Sequence, residues 1–170
     1  MAILRKLKSW VIEMLGGFQV VGRLRVFESV GDSKVRRLVL DKKNIVVNGG
    51  KLAVLHAITT GVTTQITKMA VGNGSDGSAA EVTDDELTTR VSIKDVDSVE
   101  NDDVNIIGIF RCAYNSGDGD FGGIIPAEIN EAALVLDDGT TLFSKKTFSG
   151  RPFIETNNTT LTFIWSIGVA

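Results

Sequence analysis

This chain of 170 residues has almost none of the side chains that most metal sites and many catalytic centres use: it contains one histidine, His56, and one cysteine, Cys112. Zinc is held by sets of nitrogen and sulfur ligands, and one histidine with one cysteine cannot supply such a set within a single chain. A lone cysteine cannot form an internal disulfide. Cys112 lies in the apolar run Val104–Cys112, where the expected role is a small buried hydrophobe. Proline is scarce, at two residues, while glycine numbers 18 and threonine is frequent, a balance that favours short strands and tight turns. No run approaches the roughly 18 continuous apolar residues of a membrane span. The formal net charge is only −3, so whole-chain electrostatics give no case for a nucleic-acid partner.

The opening residues mix basic and apolar side chains. Ile3, Leu4, Leu7, Val11, Met14 and Leu15 recur at helical spacing with Trp10 beside them, predicting an amphipathic helix over residues 2–15 that Gly16-Gly17 ends. Arg5, Lys6 and Lys8 make its other side basic. They also interrupt the apolar positions, and no small-residue cleavage site follows, which is not the pattern of a secretory signal. Three roles stay open for this segment: an arm packed on a neighbouring subunit, a helix folded on its own core, or a helix on a membrane surface. A boundary near residue 17 separates it, as an arm of residues 1–17, from a body of residues 18–170.

The body reads as strands. Phe18–Phe27, Lys34–Val47, Gln65–Val71, Val91–Val96, Val104–Ala113, Ala133–Leu136, Thr141–Phe148 and Thr159–Val169 carry β-forming residues between turn signals. Asp138-Gly139 is a strong hairpin signal. In the last segment Leu161, Phe163, Trp165 and Ile167 point one way, and Thr160, Thr162 and Ser166 the other, which predicts a strand lying flat on a core. One short helix is predicted at Lys51–Thr59, with Leu52, Leu55, His56 and Ile58 near one face. Thr83-Asp84-Asp85-Glu86 has the form of a capping box that opens a helical turn through Arg90. Alternating β-α units are absent. The expected fold is all-β: an antiparallel β-sandwich, jelly-roll-like, with an N-terminal amphipathic helix and one short internal helix.

Chemistry-bearing motifs are few. Gly72-x-Gly74-x-x-Gly77 follows a predicted strand as a dinucleotide fingerprint does, but an acidic segment follows it instead of a long apolar helix, so a plain loop is expected. The acids Asp95, Asp97, Glu100, Asp102, Asp103, Asp118 and Asp120 offer oxygens for a cation, yet the EF-hand register is missing and exposed turns select the same residues. His56 sits among apolar neighbours with no Gly-x-Ser-x-Gly elbow, and is expected to be partly buried on its helix. No pair of carboxylates stands out as a glycosidase couple. Lys34, Arg36, Arg37, Lys42 and Lys43 form a basic cluster without interleaved aromatics, the pattern of a charged strand edge. No catalytic residue, cofactor site or metal site is assigned, and the chain is not expected to be an enzyme.

Several stretches carry a family likeness: Lys43-Asn44-Ile45-Val46-Val47-Asn48-x-Gly50 before a helix with Leu52 and Leu55, then Ile66-Thr67-Lys68-Met69-Ala70-Val71-Gly72-Asn73-Gly74, and Leu87 to Arg90. After an acidic insert come Ile125-Pro126-Ala127-Glu128-Ile129-Asn130-Glu131-Ala132-Ala133-Leu134 and a threonine-rich closing strand with Trp165. Over roughly residues 35–170 the succession resembles bacteriophage virion structural proteins related to the β-sandwich domain of tail-collar, tail-fibre and head-decoration proteins. The resemblance implies a sandwich domain that oligomerises, often as a trimer, and joins a symmetric particle made in the bacterial host cytoplasm. The expected function is a capsid decoration or cement subunit binding other virion proteins, with no nucleic acid and no membrane. Leu4, Leu7, Trp10, Val11 and Phe18 are the expected partner-binding anchors, because large apolar and aromatic side chains dominate interface energies. A neck, collar or tail-fibre attachment protein is the first alternative. A carbohydrate- or cell-surface-binding module is the second, and it requires exposed aromatics around Tyr114 and Phe121.

Overall fold

The computed structural model describes residues 20–31, 35–74, 79–116, 120–121, 128–152 and 158–169. The expected N-terminal helix lies outside the described residues. In chain order the elements are β1 (Val20–Val30), β2 (Arg37–Val46), α1 (Asn48–Thr60), β3 (Ile66–Gly72), β4 (Arg90–Asp95), β5 (Ser98–Asp102), β6 (Ile107–Asn115), β7 (Glu128–Leu136), β8 (Leu142–Pro152) and β9 (Thr159–Val169). The strands form one antiparallel sheet in the order β4-β3-β7-β8-β2-β1-β9-β6-β5. The protein is thus mostly β, with a single short helix among the described residues.

Two corners curl the sheet. At the first, β2 pairs with β1 along most of its length and then turns Ile45 and Val46 onto Lys145 and Ser144 of β8. At the second, adjacent residues change partners: Val96 N–H donates to Thr67 O at 2.9 Å and Asp97 N–H to Arg111 O at 2.8 Å. The two end strands of the order, β4 and β5, are therefore consecutive in the chain, and the sheet bends back on itself. Its inner face holds one apolar cluster that includes Leu24 and Val26 of β1, Met69 and Val71 of β3, Tyr114 of β6, Leu134 of β7 and Trp165 of β9.

Alternation decides which side chains enter that cluster. Leu161, Phe163 and Trp165 are fully buried, and Ile167 packs on the cluster's margin, as the pattern of the last strand predicts. The Asp138-Gly139 hairpin also forms between β7 and β8. Gly139 has φ +74°, and the Asp138 carboxylate accepts from the Thr140 and Thr141 amides, each at 2.8 Å.

Four local expectations are corrected. The helix starts at Asn48, so Asn48-Gly49-Gly50 is its first turn and not a connecting loop. These glycines bring the helix against β8: a Cβ on Gly49 would lie 2.6 Å from Leu142 O, and one on Gly50 would strike Phe143 O. That contact sets the helix rotation, so Ala53 and Val54 pack on the core. His56, Leu52 and Ile58 are exposed instead of forming the inner face. The capping box opens no helix; the Thr88 and Thr89 amides donate to the Glu131 carboxylate at 3.0 and 2.9 Å and so are not free for helical bonds. Finally, Val104–Ile106 is a turn between β5 and β6 and not a strand start. The polar Ser98–Asp102 supplies the extra strand β5.

Candidate binding surface

A wide concavity lies at the end of the sheet where β1 begins and β9 finishes. It is a cleft of about 1140 Å³. Val21 of β1, Ile107 of β6 and Val169 of β9 line one side, with Val54 and Leu55 of α1 and Val82 of the following loop also in its wall. Lys42, Lys43 and Lys51 stand among the lining residues, and the other charged pair there is already matched: Arg23 donates to Asp41 at 2.5 and 2.7 Å. That bond holds the half-buried Asp41 carboxyl below its ordinary range.

Local chemistry fixes the cleft's wall. Gly22 of β1 faces Asn44 of β2, and the Asn44 amide occupies the space that a Cβ at residue 22 would need. Asn44 Nδ2 donates to Ser144 Oγ, which in turn donates to Ile45 O at 2.7 Å, so the first corner is pinned beside the cleft. Asn44 Oδ1 is enclosed and has no hydrogen-bond partner. Across the sheet, a Cβ on Gly168 would come within 3.2 Å of Ile107 Cγ1, so these strands meet closely at the cleft's edge.

Next to it stands the turn between β5 and β6. Val104 is 91% exposed and Ile106 64% exposed. Ile106 has φ +54°, a conformation that a β-branched residue rarely adopts. The Asp102 carboxylate holds the turn by accepting from Asn105 N at 3.1 Å and Nδ2 at 2.7 Å, and these bonds lower its pKa. Asn105 itself lines the cleft. An apolar, strained turn therefore borders an apolar cleft. Sequence reading placed Leu55 on its helix but had no means of bringing it to Val21, Val82, Ile107 and Val169.

The expected anchors Leu4, Leu7, Trp10, Val11 and Phe18 lie outside the described residues. Of the acids weighed as cation ligands, Asp97 and Asp120 face an ammonium of the chain itself: Lys94 Nζ lies 3.9 Å from Asp97 and 3.3 Å from Asp120. Lys94 also donates to Ala113 O at 2.6 Å and stands 5.3 Å from the Tyr114 ring centroid. Asp95 pairs with Lys68 at 2.5 Å and Glu100 with Arg111 at 3.0 Å. Asp118 lies outside the described residues, and no group of three metal-binding side chains occurs among the described ones.

Two glycines of the motif, Gly72 and Gly74, have a packing role, and Gly77 lies outside the described residues. A Cβ on Gly72 would lie 2.5 Å from both Glu131 Oε1 and Thr89 O, and one on Gly74 would lie 2.6 Å from Thr89 N. The loop before β4 crosses β3 there, and a carboxylate stands where a phosphate would need cationic surroundings. The same loop is held by a buried charge group. Lys145 lies 3.1 Å from Asp84 and 3.7 Å from the fully buried Glu131, and donates to Glu86 O at 3.0 Å.

Tyr114 and Phe121 are buried, so neither offers a surface platform for a sugar. Tyr114 donates to Met69 O at 2.6 Å, stacks edge-on with Phe163 at 5.7 Å, and burial raises its hydroxyl pKa well above the ordinary range. Cys112 is fully buried, as expected of it, and burial pushes its thiol up to about 12. No helix among the described residues is long and apolar enough to cross a membrane. Comparisons with protein-family models, curated proteins and solved structures return no match.

Proposed function

We propose that this chain is a binding subunit without catalytic chemistry, a bacteriophage virion structural protein that decorates or cements the capsid by contacts to neighbouring virion proteins. The observation that carries the binding half is the apolar surface at one end of the sheet: the cleft, with Val21 at 41%, Val82 at 40%, Val104 at 91% and Ile106 at 64% exposure. Apolar surface gathered in this way marks association sites on soluble domains. The virion half rests on the family resemblance of residues 35–170. The curled sheet is read as the expected sandwich, with β4-β3-β7-β8 as one leaf and β2-β1-β9-β6-β5 as the other, a division that the shared apolar cluster favours.

In this reading the arm, through Leu4, Leu7, Trp10, Val11 and Phe18, anchors the subunit in the assembled particle, and the body forms its outer part. Cementing works by mass action: apolar burial across subunit boundaries stabilises the closed shell over its open form. The test is incorporation. Full-length protein should appear in purified particles at hundreds of copies, while protein lacking residues 1–17 should fold and be left out. A copy number of a dozen or fewer would move the subunit to the neck or tail. Absence from particles would end the virion reading.

A further inference from the structure

We propose that in the free subunit the cleft is the socket for the chain's own N-terminal segment, residues 2–15, seated by its apolar stripe. Three observations lead there. First, the segment joins the body at Val20, which is itself a residue of the cleft wall. Only Gly16-Gly17-Phe18-Gln19 intervene, a connector that reaches at most about 14 Å. So short a tether gives the segment an effective concentration on the order of millimolar or above at the cleft, ahead of any free competitor.

Second, the cleft is large enough to admit more than a metabolite. The cleft's 1140 Å³ exceeds the roughly 300–1,000 Å³ of small-molecule sites. Third, the surfaces match in kind. Val21, Val54, Leu55, Val82 and Ile107 offer an apolar wall to Leu4, Leu7, Val11 and Leu15, which share a helical stripe by spacing. Charge does not drive the seating. Lys42, Lys43 and Lys51 stand at the cleft, and the segment's other side is also basic, with Arg5, Lys6 and Lys8. Seating is therefore driven by apolar burial with the basic side turned to solvent, and it persists at high salt. An acidic partner attracted to those lysines would behave oppositely.

The inference concerns the free subunit and stands apart from the particle reading, since incorporation tests one and cross-linking the other. Two cysteines are placed in the full chain, Val11→Cys and Val54→Cys, and the native chain with only the buried Cys112 is the control. A short bismaleimide should give a cross-linked product of monomer size, at a yield independent of protein concentration and unchanged in 1 M salt, on the order of 30 Å to 3 Å of Debye screening from dilute buffer. A dimer whose yield rises with concentration would overturn the proposal in favour of a second copy. No product would overturn it in favour of another occupant. A second measurement needs no cysteine: the emission assigned to Trp10, as the difference between the native chain and Trp10→Phe, should be blue-shifted and shielded from iodide. Leu55→Lys should red-shift and expose it. Trp10 quenched like free indole in the native chain would sink the idea.

Discussion

Replacing Glu131 by alanine tests the claim that a buried charge group holds the loop before β4. Glu131 is fully buried, accepts from two backbone amides at 2.9 and 3.0 Å, and lies 3.7 Å from a lysine that is itself buried. Removing one member of a buried ion pair costs about 3–5 kcal/mol, because the other charge is left uncompensated in a poorly solvated place. Two features put this case at the lower end, about 3 kcal/mol. Lys145 keeps Asp84 at 3.1 Å and Glu86 O at 3.0 Å, and residues 88 and 89 are exposed, so their released amides can bind water. For a domain of this size each kcal/mol moves Tm by roughly 2–4 °C, so Tm should fall by about 6–12 °C. Urea titration gives the free energy directly, with m unchanged if unfolding stays two-state. The double variant Glu131→Met with Lys145→Met removes both charges and fills the space with apolar atoms. It should be within about 1 kcal/mol of the native chain, less damaged than the single variant, since Asp84 is partly exposed and can be hydrated. A single variant that loses under about 1 kcal/mol, or a double variant whose loss is the sum of the two singles, would refute the coupling.

Gly50→Ala sets helix propensity against packing: propensity alone favours alanine by about 1 kcal/mol, but the new Cβ would meet the β8 backbone at Phe143, at a cost of about 1–3 kcal/mol or more. A net loss in urea titration supports the close approach, and a gain in stability would contradict it. Cys112 should resist maleimide at pH 8 in the native chain and react on unfolding. Because its folded pKa is raised from 9.0 to about 12, its contribution to stability is whole below pH 9 and declines as pH rises toward 12. Fast labelling without unfolding would mean that the thiol is accessible. Asp138 acts with the opposite sign. Bonds from the Thr141 hydroxyl and the Thr140 and Thr141 amides lower its pKa, so its contribution is present above the ordinary carboxylate value and is lost as pH falls through the depressed one. Asp138→Ala should therefore lower stability near neutral pH and flatten the acid limb below about pH 4; an acid limb as steep as the native chain's would show that the turn bonds contribute nothing.

What the sequence displays of this architecture follows from how local each cause is. In β9 the alternation of Leu161, Phe163 and Trp165 states its own burial, because a strand flat on a core has a period of two and no competing signal. Asp138-Gly139 is equally local: the turn needs a positive φ and a side-chain acceptor, and both residues announce it. The rotation of α1 is different. Leu52, Leu55 and Ile58 are more apolar than Ala53 and Val54, so hydropathy chooses the wrong face. The deciding contact is Gly50 against a strand some ninety residues further along the chain. Glu131 misleads in the same manner, since a glutamate inside a strand reads as an exposed position unless the amides and the lysine that satisfy it are known. The cleft is the extreme case. Its wall joins residues near position 20, near 50, at 82, near 107 and near 169, and none of these segments has a period or motif that marks it as part of a site. What the sequence does mark is an amphipathic pattern over residues 2–15. In the proposed seating that pattern meets its socket only because topology brings the first and last strands of the sheet side by side, and with them Val21 and Val169 of the cleft wall.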